Sequence, residues 1–326
     1  MTLYRTLRPL ALGVAALGLG ASSVHAQADY PSKPVKLVVG FVAGSATDTA
    51  ARILAERLRP YIGQQVVVEN RAGAASALAT DQVAAAPNDG YTLLLSSSSA
   101  TVNAAANDNA QTRAYRSLVP VAMVASIPNI LVVHPSLGVK SVSELVTLAK
   151  AKPGEISFAS SGPGSSPHMS AELFASRTGV KMLHVPYRGS AQAMNDVLSG
   201  LVPVMFSPAS SVLSHIKADK VTALATTSNK RSSLLDVPTL GEAGVSDINV
   251  SLWFGVLAPK GTDPAIVNKL ATAIGKVVDD PETRAQLAKQ NMETVKAGPA
   301  EFSAFINTEI SRWGALLKAN NIVLGN

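Results

Sequence analysis

Residues 35–61 read VKLVVGFVAGSATDTAARILAERLRPY. The first seven are an apolar run of strand length, rich in β-branched valine. From 47 to 61 the apolar residues Ile53, Leu54 and Leu58 fall on one face, the spacing of an amphipathic helix. The connection, residues 40–48, is Gly-Phe-Val-Ala-Gly-Ser-Ala-Thr-Asp, small or polar from Ala43 onward. A buried strand turning at once into a helix is the first half of a βαβ unit. The chain continues the unit with a strand at 66–69, a helix at 76–86 and a strand at 91–95, entered through Pro87-Asn88-Asp89-Gly90. This βαβαβ order predicts a parallel sheet covered by helices on both faces.

The pattern then repeats. Ser141-Val142-Ser143-Glu144 opens a helix to Lys152 as a capping box, and a strand follows at 156–159. Residues 160–168, SSGPGSSPH, lead into another helix, with Ser166 as N-cap and Pro167 in the first helical position. Strands at 184–187, 202–206 and 221–225 alternate with helices at 191–198, stopped by Gly200, and 210–218. Residues 262–320 read as mostly helical, with Asp263-Pro264 and Asp280-Pro281 each a cap followed by proline. Two long strand-like stretches, 121–134 and 249–257, read as crossings between two lobes. The expected division is a first lobe of 27–125 plus 251–326 and a second of 126–250, with the C-terminal helices packing back on the first lobe. Roughly 300 residues exceed the usual single core.

The chain starts MTLYRTLRPLALGVAALGLGASSVHAQ. Arg5 and Arg8 form a basic start, an apolar run follows, and Val24-His25-Ala26 fits a cleavage site. Residues 1–26 are therefore read as a secretory signal peptide cut near Ala26, and the product as periplasmic. Of 28 Lys and Arg, two lie in that segment, leaving 26 against 22 Asp and Glu, a net +4. These cations are dispersed, which argues against a nucleic-acid partner and modestly favours small anions. Cysteine is absent, excluding disulfides and thiol chemistry. No Gly-x-Ser-x-Gly elbow, Walker A sequence, Gly-x-Gly-x-x-Gly fingerprint or His-Glu-x-x-His motif occurs. No catalytic residue, metal site or cofactor is expected.

In a parallel α/β sheet ligands sit at the carboxyl ends of the strands. Helix N-termini there present unpaired N–H groups and a partial positive charge. The expected ligand contacts are Val42, Gly44, Ser45, Ala46, Thr47 and Asp48 in the first loop. Ser98 follows the third strand. Ser161, Gly162, Gly164, Ser165, Ser166 and His168 form the second loop. Tyr187 and Arg188, a potential carboxylate clamp, and Ser207 complete the set. Each loop also reads as a plain strand-to-helix turn, with Ser166, Thr47 or Asp48 as caps. Asp48 as a dipole partner, a solvated Arg188 and a packing role for Trp253 and Phe254 are the ordinary alternatives.

Several ordered segments carry a resemblance. They are Tyr30-Pro31-Ser32-Lys33-Pro34-Val35, Val68-Glu69-Asn70-Arg71 and Asn88-Asp89-Gly90-Tyr91-Thr92-Leu93, then Val185-Pro186-Tyr187-Arg188-Gly189-Ser190, Asp236-Val237-Pro238-Thr239 and Trp253-Phe254-Gly255. Over nearly its whole length after the signal, the chain resembles the Bug-type solute receptors of tripartite tricarboxylate transporters. The resemblance implies a two-lobed periplasmic binding protein fold, type II-like, with two parallel-rich sheets flanked by helices and a ligand cleft between the lobes. It implies a monomer that closes on a small carboxylate-bearing ligand and meets membrane permease subunits, or a membrane sensor protein instead. In that family the loops matching 40–48 and 160–168 bind the carboxylate through backbone N–H groups, hydroxyls and water. A secreted serine hydrolase is the remote alternative. The chain departs from the family in its first loop, in the segment after Arg71, and at Ser207-Pro208, where an acid is common. Without that acid an amino-acid ligand lacks one partner for its ammonium.

Overall fold

The computed structural model describes residues 30–73, 76–232 and 235–324. The expected signal peptide lies outside them. The first half of the chain runs β1 (Val35–Val39), α1 (Ala46–Ile62), β2 (Val66–Asn70), α2 (Ala77–Ala84), β3 (Thr92–Ser97), α3 (Ser98–Ala106), α4 (Ala110–Ser117) and β4 (Val119–Val133). Then come α5 (Val142–Ala151), β5 (Ser157–Ser160), α6 (Ser166–Thr178), β6 (Leu183–Pro186), α7 (Ser190–Leu198), β7 (Val204–Pro208), α8 (Ala209–Lys217) and β8 (Thr222–Thr226). The chain closes with β9 (Ser251–Ala258), α9 (Pro264–Asp279), α10 (Pro281–Ala288), β10 (Glu293–Ala297) and α11 (Pro299–Ala319).

The α/β expectation holds, and the two long strand-like stretches form β4 and β9. Strand order is β2-β1-β3-β9-β4-β7-β5-β6, with β10 and β8 also on β4. β1 is parallel to β2 and β3, and β5 is parallel to β6 and β7. β9 runs antiparallel to both β3 and β4, so β3 and β4 point the same way. β7 runs antiparallel to β4. The carboxyl ends of β1 and β3 therefore face the carboxyl ends of β5 and β7. Ser97 pairs with Phe254, which pairs with Ala125 of β4, while Pro208 pairs with Asn129 of β4. Four residues of strand, about 13 Å, separate the two sets of ends.

Caps locate most helix starts. Asp263 and Asp280 accept from Ala265 N–H at 2.7 Å and Thr283 N–H at 2.9 Å, each ahead of the expected proline. Ser141 accepts from Glu144 N–H. At α6 the cap is Ser165 rather than Ser166: its hydroxyl accepts from His168 N–H, and Ser166 and Pro167 take the first two helical positions. Either serine satisfies the pattern, and the turn closed by Ser165 N–H to Gly162 O selects the earlier one. The short helices α3 and α4 were not legible, because Ala-rich 98–106 has no apolar stripe. β10, within the region read as helical, pairs antiparallel with β4 through Glu293, Thr294 and Ala297.

Among the described residues, two apolar clusters bear on the placement of α11. One gathers Val38, Leu94, Met123, Trp253, Leu257, Phe302 and Ile306. The other gathers Leu131, Val133, Phe158, Met169, Phe174 and Phe206 with Val102, Trp313, Leu317 and Leu324. α11 thus places Phe302 and Ile306 in the first cluster and Trp313 and Leu317 in the second, reaching beyond the first-lobe packing expected of it. Phe302 packs edge-on against Trp253 and lies where a side chain on Gly255 would go, 2.2 Å from a Cβ. Gly255→Ala is expected to cost about 1–3 kcal/mol by overpacking. Gly275→Ala, inside α9 with only Lys296 Cε at 3.7 Å, is expected to gain about 0.5–1 kcal/mol. Urea melts check both signs, and equal shifts would contradict the packing argument.

Candidate functional site

The β1–α1 connection is built around Asp48. Its Oδ2 accepts from Gly44 N–H and Arg52 Nε, both at 2.9 Å, and its Oδ1 accepts from Asn70 Nδ2 at 2.8 Å. Asn70 Nδ2 also donates to Phe41 O. A buried carboxylate thereby ties the loop to α1 and to the end of β2. Burial raises its pKa, but the bonds from Arg52, Gly44 and Asn70 overcome that, and it titrates below the usual carboxylate value. Gly44, at φ 81°, supplies the left-handed turn this requires. Ser45 caps α1, accepting from Asp48 N–H, and its own N–H goes to Val42 O. What α1 still offers is its first two amides, Ala46 and Thr47, which have no partner within a helix. Val42 stands 58% exposed at the loop tip.

The second loop is also bonded internally. Gly162 N–H donates to Ser160 Oγ, Gly164 N–H to His168 Nδ1, and Ser165 Oγ–H to Gly162 O. Its glycines serve the turn rather than presenting N–H groups outward. Ser161 precedes them, half-buried. Ser166, 2% exposed, opens the helix behind this loop. Asn129 Nδ2, on β4, donates to Ser166 Oγ at 2.6 Å and to Ser170 Oγ at 2.9 Å. With an acceptor role imposed on it, the Ser166 hydroxyl keeps its own proton to donate, beside its first-position amide. Asn129 Oδ1 is buried with no partner.

α3 begins at the end of β3, next to the β1 loop in the sheet. Its N-cap Ser97 makes no side-chain cap bond. The Ser97 and Ser98 hydroxyls are buried and have no partner. The second loop reaches this helix: a Cβ on Gly164 would lie 3.3 Å from Asn103 Oδ1 and 3.5 Å from Val102 Cγ1. Ser98 was named from the sequence; Ser97 and Asn129 were not. A Ser-Ser-Ser-Ser run at 96–99 was the available signal for one, and nothing local marked the other.

The remaining sequence candidates are placed differently. The Tyr187 hydroxyl donates to Asp196 Oδ2 at 2.6 Å, and burial together with that carboxylate pushes its pKa up to about 12. Its proton is committed, leaving the ring and a lone pair. Arg188 is exposed on the same loop. Ser207 is fully buried at the end of β7, opposite Ile130 of β4. His168 is buried, its Nδ1 taken by Gly164 and its Nε2 3.4 Å from Glu172. It stacks on His184 at 4.0 Å. Burial first, then His168, push His184 down to about 4. Trp253 and Phe254 are buried in packing positions. Among the described residues no group of three or more His, Asp or Glu can hold a metal ion. No described helix is long and apolar enough to cross a membrane.

The N-termini of α1, α3 and α6 thus open at strand ends that face one another, with amide and hydroxyl donors and no carboxylate left unengaged among them. Such a site attracts an anion. The model of the tripartite tricarboxylate transporter family receptor matches residues 50–322. The chain belongs to this receptor family. It is 39% identical to protein BugT of Bordetella pertussis over 321 residues, 98% of each chain. Among solved structures it is similar to R. palustris Rpa4515 with adipate, at 33% identity and TM-score 0.84, covering 90% of this chain and 99% of that one. It is similar to periplasmic binding protein BugD, at 33% identity and TM-score 0.80, covering 90% and 99%. The receptor fold is the two-lobed periplasmic binding protein fold.

Asp48→Asn keeps the shape but removes the charge from the hub of the first loop. A stability loss of about 1.5–3 kcal/mol is expected at pH 7. Because the folded pKa lies below the unfolded 3.8, the charge stabilises fully above pH 3.8, and its contribution is lost as pH falls through the folded value. Denaturant melts of both forms from pH 7 to 3 should show the gap narrowing at the acid end. A gap that stays constant would contradict the assignment.

Proposed function

We propose that the protein is an exported periplasmic receptor that captures a small carboxylate-bearing solute by cleft closure and delivers it to a tripartite tricarboxylate-type membrane transporter. The lobes of this reading are 27–125 with 251–326, and 126–250. The chain passes between them where β4 exchanges its β9 pairs for β7 pairs, and the signal occupies 1–26. No catalytic residue has a part in it.

One observation carries the reading. Three helix N-termini, from both halves of the sheet, stand at strand ends that point toward one another, and each brings an amide or hydroxyl able to donate. A carboxylate there receives the Ala46 and Thr47 amides from one side and the Ser166 amide and hydroxyl from the other. The partnerless Ser97 and Ser98 hydroxyls take its second oxygen or a second polar group of the solute. Family membership and the adipate named with Rpa4515 point the same way. Ser207 in place of an acid removes one partner for an ammonium, so an organic acid fits better than an amino acid.

The test uses the mature chain, unfolded and refolded to strip carried solute. Diacids, triacids, aromatic acids, amino acids, amides and sugars are screened by thermal shift. A true ligand at 100-fold over its dissociation constant adds about 2.7 kcal/mol. Carboxylates are expected to shift the midpoint and neutral compounds not to. Ser166→Asp, which puts a charge of the wrong sign at the convergence, is expected to abolish the shift while the protein stays folded. A carboxylate shift that survives the substitution would refute the site.

A further inference from the structure

Beneath the second loop three rings are stacked. His184 of β6 lies between Phe158 of β5, at 4.9 Å, and His168 of α6, at 4.0 Å, with planes within 16° and 10°. Each imidazole supports the loop with a ring nitrogen. His184 Nε2 is 2.7 Å from Ser160 Oγ, the atom that accepts Gly162 N–H. His168 Nδ1 accepts Gly164 N–H at 3.1 Å. A nitrogen that accepts carries no proton, so His168 holds its hydrogen on Nε2, which faces Glu172 Oε1 at 3.4 Å. The turn supported in this way ends in Ser165, the α6 cap, and Ser166.

We propose that His168 and His184 are positioning residues for the α6 anion site, and that His168 holds it only while its Nδ1 carries no proton, making solute capture proton-dependent. This rests on the carboxylate reading of the site. A proton on His168 Nδ1 turns the acceptor into a donor aimed at the Gly164 N–H. That bond is lost, and with it the fixed approach of the turn to Ser165 and Ser166. Gly164 sits at φ 69°, where a Cβ would meet Leu324 and Asn103 of α3, so the turn is a conformation that glycine adopts readily and other residues rarely do.

The surroundings fix the sign. The charges acting on His184 are those of His168 and Glu172, both on α6. β5 contributes only the Phe158 ring and the Ser160 hydroxyl to the stack. Glu172 stands ready to pair with an imidazolium on His168, so a bound anion sees little added positive charge. The displaced loop dominates, and acid weakens binding.

The experiment is a pH titration of the mature protein from 7.5 to 4.0, with circular dichroism confirming the fold at each step. The Gly162 and Gly164 amide signals are followed by NMR without ligand, and adipate affinity is measured by calorimetry. His168→Asn supplies an acceptor for the Gly164 N–H that takes up no proton; His168→Leu supplies none. In wild type the Gly164 signal is expected to move on acidification, and the adipate dissociation constant to rise at least tenfold more than in His168→Asn. The Asn variant should hold its Gly164 signal, and the Leu variant should show a displaced signal at every pH. Identical pH profiles in wild type and His168→Asn, or a proton on Nδ1 of His168 at pH 7.5, would overturn the proposal. If adipate binds to none of the forms at pH 7.5, its capture by this site is refuted, and the Gly164 signals still decide whether the histidines hold the loop.

Discussion

The fifteen-residue strand β4 is the constraint on which the rest depends. It is paired along nearly its whole length, with β9 and β10 in its first part and with β7 and β8 in its last. Its direction sets the others: β1 and β3 point along it, β5 and β7 against it. Facing strand ends are a consequence of that ladder, and so are facing helix N-termini. Pro128 sits where the change of partners occurs, and it offers no N–H to the ladder. Asn129 follows immediately. Its backbone is held by Thr227, whose hydroxyl donates to Asn129 O and Val250 O, and its side chain holds Ser166 and Ser170. The crossing and the candidate site therefore share a residue.

Hydrogen-bond accounting changes what the glycine-rich loops are for. Burying an N–H without a partner costs more than a typical bond returns. In both loops the glycine amides are spent within the chain, on Asp48, Ser160 and His168. These bonds make the turns rigid, and rigidity lets the following helix start at a fixed place. The donors left over are first-turn amides and serine hydroxyls. Preorganised donors of this kind bind an anion without first having to be ordered.

Local pattern made most of the fold legible. The apolar run at 35–41, the helical stripe at Ile53, Leu54 and Leu58, and the Asp-Pro caps all act within one turn or one strand. Both long strands were legible because apolar stretches of that length are buried most readily inside a sheet. What escaped depends on distant partners. α3 is uniformly small in composition and is fixed by contact with α11 and the second loop. β10 exists because β4 offers it a free edge. The one-residue error at the α6 cap reflects two adjacent serines with equal capping chemistry. At the site, the serines and first-turn residues of both loops were legible as N-terminus chemistry. Asn129 was not, because a polar residue inside an apolar strand reveals its partner only when α6 packs over it. The Tyr187 partner was not legible, because Asp196 lies nine residues on and nearly two turns into α7.

The central claim is that a carboxylate bridges the N-termini of α1 and α6. The most direct measurement is a crystal structure of the refolded protein grown with adipate. The account predicts carboxylate oxygens within about 3 Å of the Ser166 hydroxyl and of the Ala46 or Thr47 amide, with Asn129 still donating to Ser166. Adipate seated away from these groups, or held there by an ordered cation rather than by the helix N-termini, would contradict it.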